Sequence, residues 1–371
     1  ARLCFQGEQR LLPDRQLDLV LTDFSLASLE EFLPEGFGWN AELNASVEFQ
    51  QAVGQEPVVS FNLSSTDGMV AVTEADQTLA FPYDLLQITT EMQKGAAQSR
   101  IQLASEGFGT LDLQANVDDL ANAQVLTGEY YIDGLKLNIL RPFLPQVDTL
   151  RGELRGEGRF AGTLREPEIV GMVRLSEGQV SGPELPVSLE DLEVEVNING
   201  QRAVVDGQWT SGEEGTGSLT GTVVWAPELD LDLSLEGSQL PVVVQPYADL
   251  RVSPDLQLTL ANNQLRVRGQ IAVPEGDITV RELPERAVRQ SPDVVIVGEE
   301  QEEAGPPLDI DARVQLVVGD QLRFSAFGLR GRLSGRIMVE EDMNATGDLN
   351  ILDGRFRRYG QRLSLRRAQI L

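Results

Sequence analysis

The segment "PELDLDLSLEGSQL", residues 227–240, carries Leu229, Leu231, Leu233 and Leu235 at every second position, with an acid or a serine between successive leucines. Successive side chains of a β-strand point to opposite faces, so this stretch forms a strand with one leucine face and one charged face. The same alternation recurs in "QLDLVL" (Leu17, Leu19, Leu21), "TLDLQANV" (Leu111, Leu113, Ala115, Val117) and "DLEVEVNI" (Leu192, Val194, Val196, Ile198). In "PDLQLTLANNQLRVRGQIAV" the apolar positions 256, 258 and 260 give way, across Ala261-Asn262-Asn263, to positions 265, 267, 271 and 273. That pattern predicts an antiparallel hairpin turning on the asparagine pair.

Helical patterning is scarce. "SLASLEEFLPEG" places Leu26, Leu29, Phe32 and Leu33 on one helical face, with Ser28 and Glu31 spaced as a capping box, and "VRELPERAVRQSP" is a second candidate. In α/β folds helices cover the apolar sheet faces, and so few helices cannot cover more than a dozen strands. The expected fold is therefore all-β: an elongated, twisted, antiparallel-rich sheet that folds over itself or holds something else.

The chain repeats at an offset of 111 residues. "FLP" at Phe32–Pro34 returns at Phe143–Pro145, "AELNASVEF" from Ala41 aligns with "GELRGEGRF" from Gly152, and Phe24, Leu26 and Leu29 fall on Leu135, Leu137 and Leu140. A shorter G-x-L-x-G element stands at Gly152–Gly156, Gly217–Gly221 and Gly331–Gly335, where glycine suits a bend or a close backbone approach. Such recurrence marks an array extended by adding units. We read one continuous repetitive β-groove over 1–371, with blocks 17–127, 128–250 and 251–371 and an acidic loop at 298–307.

Charge and composition exclude several functions. The 371 residues hold 58 acids and 30 bases, a formal net charge of -28, which repels nucleic acid and anionic membrane surfaces. The distribution is uneven: Arg313 to Leu371 holds eleven arginines against six acids, a local +5 that leaves -33 for the remainder. The basic end includes "GRFRRYGQRLSLRR", read by default as solvated strand arginines with phosphate contact as the sharper alternative. The lone Cys4 excludes an intrachain disulfide, and the longest apolar runs, such as "DVVIVG", are too short for a transmembrane helix.

Histidine is absent, so no Ser-His-Asp or Cys-His site can form. The acid clusters "GEEQEEAGPP" and "VEEDMN" lack the ligand spacing of an EF-hand or an RTX repeat, and "TSGEEGTGSLTG" has no lysine after its last glycine to hold a phosphate. Three Trp and five Tyr supply neither a base-stacking surface nor the aromatic girdle of an outer-membrane barrel. The reading is a non-enzyme without metal or cofactor.

What remains is the apolar stripe. On composition alone it is read first as the dry core of a closed sandwich or solenoid, including an extracellular β-solenoid adhesin; the sharper reading, toward which few helices, few large aromatics and a Leu, Val and Ile lining lean, is an open channel for lipid acyl chains. Each methylene exposed to water costs about 0.8 kcal/mol, so two chains of roughly sixteen carbons cost on the order of 25 kcal/mol to carry bare through water. A lining without polar hooks lets a lipid slide while its headgroup projects from the opening. The candidate lining is Leu192, Val194, Val196, Leu229, Leu231, Leu233, Leu256, Leu258, Leu260, Leu265, Val267, Ile271 and Val273.

"SLASLEEFLPEGFGWNAELNASVEF", "GELRGEGRFAGTLREPEIVGMVRLSEGQV", "LPERAVRQSPDVVIVG" and "GDLNILDGRFRRYGQRLSLRRAQIL" resemble the C-terminal half of the TamB family, translocation and assembly module proteins of Gram-negative bacteria. The resemblance covers nearly the whole chain and is most specific in "LPERAVRQSPDVVIVG" and "DGRFRRYGQ". It implies an AsmA-like, taco-shaped groove crossing the periplasm, similar to bridge-like lipid transfer proteins and anchored in the inner membrane by a segment absent here. The implied ligands are phospholipid acyl chains, carried between the inner and outer membranes. The implied partners are the outer-membrane barrel TamA, met through a C-terminal part also absent, and outer-membrane protein clients. The second reading it implies is a scaffold for assembling barrel and autotransporter-type proteins, through a strand edge or the trough itself.

Overall fold

The computed structural model describes the chain except residues 8, 75–76, 145, 184, 281–308, 341–343, 359–360, 365–367 and 371. The second helical candidate after Val280 and the acidic loop 298–307 lie outside the described residues. The fold is all-β, as the alternation predicts. The strands are β1 (Arg2–Phe5), β2 (Arg15–Ser25), β3 (Phe37–Asn40), β4 (Glu42–Gln51), β5 (Val58–Glu74), β6 (Gln77–Gln93), β7 (Ala96–Ser105), β8 (Gly109–Asp118), β9 (Val125–Lys136), β10 (Thr149–Gly162), β11 (Pro167–Ser181) and β12 (Leu189–Gly200). There follow β13 (Arg202–Ser211), β14 (Gly215–Val224), β15 (Asp230–Ser238), β16 (Leu240–Val244), β17 (Ala248–Ala261), β18 (Gln264–Val280), β19 (Asp309–Ala326), β20 (Leu329–Glu340), β21 (Ala345–Arg358), β22 (Gln361–Ser364) and β23 (Ala368–Ile370).

Two compact units divide the chain: Ala1–Trp209 with Thr222–Pro227, and Thr210–Gly221 with Glu228–Leu371. The division falls inside the expected block 128–250.

In the first unit each strand pairs antiparallel with its successor, from β4 through β12, and β2 joins β1 to β4. Strand β5 is long enough to pair with β4 along Val58–Ser64 and with β3 along Met69–Val72. Two short 3-10 helices, Leu26–Phe32 and Leu137–Phe143, interrupt the run. They stand 111 residues apart, so the repeat in the sequence recurs as a repeated strand-to-helix break. The first differs from the expected helix in its cap: Ser25 flanks it without a side-chain bond, and Ser28 Oγ donates to the Ser25 carbonyl at 2.6 Å. A turn that tightens to 3-10 geometry uses the serine locally instead of in a reciprocal capping box.

These helices lie against the buried cluster of the first unit, Leu26, Ala41, Val70, Val72, Phe81, Tyr83 and Phe108, with Ile139 and Leu135 packed beside it. Tyr83 is the polar anchor of this cluster. Its hydroxyl accepts from Trp39 Nε1 at 3.0 Å and lies 2.7 Å from Ser65 Oγ, which is fully buried. Burying three polar groups is tolerated because each satisfies another.

In the second unit β15 and β16 both pair with β17, β17 and β18 form the predicted hairpin, and β19, β20 and β21 continue antiparallel. The hairpin closes on Asn262 and Asn263, at φ 51° and 60°, the left-handed pair that a two-residue turn matched to strand twist requires. Strands β18 and β19 pair in parallel, which the sequence pattern does not reveal. The buried cluster here is Val273, Val318, Leu322, Leu333 and Ile351.

Candidate functional site

Paired residues on adjacent strands share a face, so the registers show which side chains line up across each sheet. In the first unit one row runs Leu3, Leu21, Ala45, Leu63, Ile88, Ile101, Leu113, Tyr130, Gly158, Gly171, Ile198. It crosses eleven strands without a charged side chain, a distance of about 50 Å at the usual strand spacing. Val194 and Val196 extend the parallel rows: Leu135, Leu154, Leu175, Val194, and Leu103, Leu111, Ile132, Gly156, Val173, Val196. Leu192 stands opposite Gly178 on the same face.

The adjacent row on the other face is of opposite character: Ser46, Asn62, Thr89, Arg100, Gln114, Glu129, Arg159, Val170, Asn199. Arg100 there grips Asp112 with two bonds, at 3.0 and 2.5 Å. The hydrogen bonds from Arg100, and its charge, hold the Asp112 carboxyl below the usual carboxylate range against partial desolvation. Glu195, the neighbour of Val194, is held down by Asn197 and then by Arg174.

The second unit repeats the arrangement. Its rows are Leu231, Leu260, Leu265, Ile310; Leu233, Leu258, Val267, Ala312; Leu235, Leu256, Gly269, Val314, Val339; Pro254, Ile271, Leu316, Ile337; and Val273, Val318, Gly335, Leu349. The opposite face is again polar and charged: Gln257 donates to Asp232, and Arg268 pairs with Asp311, Arg323 with Asp277 and Arg332 with Asp353. No group of three potential metal ligands occurs among the described residues.

Of the thirteen expected lining residues, Val273 is buried and eleven are half-buried. Leu229 is placed differently: it precedes β15 and is 49% exposed, because the strand begins only at Asp230, three residues after Pro227. Burial along the second unit's face is graded, from exposed Ile310 near the β17–β18 turn to Leu322 and Leu333, which are nearly sealed.

Leu63, Ile88, Ile101 and Leu103 stand in the same apolar rows and are not among the thirteen. "SFNLSS" and "RIQLAS" carry the same alternation, so the signal was present. Tyr130 had no such signal. Its ring lies over Gly158 and Gly171, where an added Cβ would come within 2.6 and 2.7 Å of it, and it also contacts the Phe160 ring at 5.5 Å.

Residues 1–175 match the family model described as "TamB, N-terminal domain", and residues 206–371 match "TamB C-terminal domain". The chain belongs to the TamB family. A curated TamB relative, the "Translocation and assembly module subunit TamB" of Haemophilus influenzae, is 23% identical over 302 residues. That alignment covers 77% of this chain and 23% of the relative, so the chain spans about a quarter of that TamB protein's length. No solved structure matches the chain. No helix among the described residues of this TamB-family chain is long and apolar enough to cross a membrane.

Proposed function

We propose that this chain is a section of a periplasmic lipid-transfer conduit, in which phospholipid acyl chains move along the apolar face while headgroups stay in water. The observation that carries this reading is the row from Leu3 to Ile198, apolar across eleven consecutive paired strands and mostly only half-buried. A sealed sandwich core of aliphatic side chains is largely buried from water. A half-buried apolar track gains free energy from an apolar occupant, at about 25 cal/mol per Å² covered. Because the track runs across the strands, an acyl chain meets similar surface at each step, and no single site traps it. The protein acts by binding, without covalent chemistry or cofactor.

The reading includes an anchor in the inner membrane and delivery toward the outer membrane, on the strength of family membership. It also includes the blocks 17–127 and 128–250 as repeated lengths of groove, supported by the two 3-10 helices set 111 residues apart, while block 251–371 rests on strand alternation alone. The second reading, assistance to outer-membrane protein assembly with TamA, is favoured by the relative's name, "Translocation and assembly module subunit".

Photocrosslinking in cells separates the two, with a photoreactive residue at Val194 or at Glu195 of the intact protein. Phospholipid captured at 194 and not at 195 is the expected result. Capture of polypeptide without lipid at either position favours the assembly role, and capture of neither returns the face to a structural core.

A further inference from the structure

On the charged face of the second unit, several arginines of β19 and β20 are ion-paired with acids: Arg323 with Asp277, Arg313 with Glu340 and Arg332 with Asp353, so that even Arg323 and Arg332, which stand opposite each other, are each neutralised by a carboxylate. One corner departs from this pattern. Arg330, at the start of β20, stands directly opposite Arg355 of β21, and Arg357 stands in backbone register with Arg362 of β22. Like charges set directly opposite across an antiparallel pair destabilise it. Among the described residues no acid forms an ion pair with Arg330, Arg355 or Arg357, and all three are exposed.

The three arginines line one concavity of about 620 Å³, shared with Phe356, Leu363 and Ser364. Its apolar members belong to the row Ala326, Leu329, Phe356, Leu363. Leu329 packs on the buried cluster of the second unit, whereas Leu363 is 54% exposed. The pocket thus joins the end of the apolar face to a set of uncompensated cations. Three guanidinium groups match a phosphate ester, which accepts charge-assisted and bidentate hydrogen bonds. An adjoining apolar row matches the first carbons of an acyl chain.

We propose that the Arg330, Arg355 and Arg357 pocket binds the phosphate ester of an amphiphilic lipid at the rim of the apolar face. This deepens and rests on the conduit reading. An extended polyanion meets the acidic remainder of the chain, whereas a single phosphate meets three arginines at short range, and the nearby Asp353 is already bonded to Arg332.

The test titrates the purified chain with dihexanoyl phosphatidylglycerol, with neutral dihexanoylglycerol and with inorganic phosphate, followed by calorimetry. The wild type is compared with the triple variant Arg330→Gln, Arg355→Gln, Arg357→Gln, and with Arg313→Gln as a control elsewhere on the charged face. The expected result is a loss of about tenfold or more in phosphatidylglycerol affinity in the triple variant, with dihexanoylglycerol binding unchanged and Arg313→Gln silent. The triple variant is also expected to melt no lower than wild type, since the opposed charges are removed. Should it fail to fold, Arg355→Gln alone carries the comparison.

Unchanged phosphatidylglycerol affinity in the variants overturns the arginine site and leaves the conduit reading standing. Binding of inorganic phosphate as tight as the lipid, lost in the triple variant, assigns the pocket to free phosphate and overturns the lipid ester as its ligand. Failure of either lipid to bind the wild type, with phosphate also inert, overturns the pocket and the conduit together.

Discussion

Leu258 and Gln257 are neighbours in β17 with opposite duties. Leu258 pairs with Leu233 and Val267 in an apolar row, and Gln257 Nε2 donates to Asp232 on the charged side. Leu258→Asp places an unpaired carboxylate among leucines and is expected to destabilise the fold by on the order of 2 kcal/mol in urea denaturation. Asp232→Asn keeps an acceptor for Gln257 and is expected to fall within about 0.5 kcal/mol of wild type. Tyr83→Phe strips Ser65 Oγ and Trp39 Nε1 of their shared partner, with an expected loss of about 1–3 kcal/mol. Asp277 has a pH signature, because the hydrogen bonds and charge of Arg323 hold its carboxyl below the usual range. A depressed folded pKa contributes stability above the unfolded value near 4, lost as pH falls through the lower folded value. Carboxyl NMR should show Asp277 titrating below a free aspartate, and Arg323→Gln should return it upward.

Among the elements, glycines decide where strands bend. Gly221 and Gly335, the last residues of two G-x-L-x-G elements, have φ of 152° and 153°, and an added Cβ would come within 2.1 Å of the Asp232 carbonyl and 2.0 Å of the Asp348 carbonyl. Only glycine permits both the dihedral and the approach. Gly335→Ala is expected to cost more than about 1 kcal/mol in thermal or urea unfolding, whereas Gly38→Ala, whose Cβ would meet the Ala71 side chain at an ordinary 3.6 Å, is expected to be nearly neutral. The G-x-L-x-G spacing made these positions legible, since glycine inside a strand pattern signals a bend. The 3-10 helices were legible in place but not in type: apolar spacing locates a break in the strands, while helix type depends on what the turn packs against. The parallel pairing of β18 with β19 was not legible, because periodicity reports which face a residue occupies and carries no information on strand direction.

For the molecule as a whole, the net charge of -28 makes self-repulsion a standing load on the folded state. Salt screens repulsion among the many unpaired surface acids more than it weakens the short Arg–carboxylate pairs. Raising sodium chloride from about 0.01 to 0.15 M, across which the screening length falls from about 30 to about 8 Å, is expected to raise the melting temperature; a fall would mean that the ion pairs dominate. The two-residue period by itself determined that the chain is all-β, that each strand has an apolar and a polar face, and that the Asn262–Asn263 hairpin forms, because these depend only on local geometry. Tertiary structure alone decided that the apolar positions align into rows across eleven strands, that Tyr130 spans two glycines from other strands, and that Arg330 faces Arg355. Register sets those neighbours, and register is fixed by contacts between residues tens of positions apart, about which a strand's own period is silent.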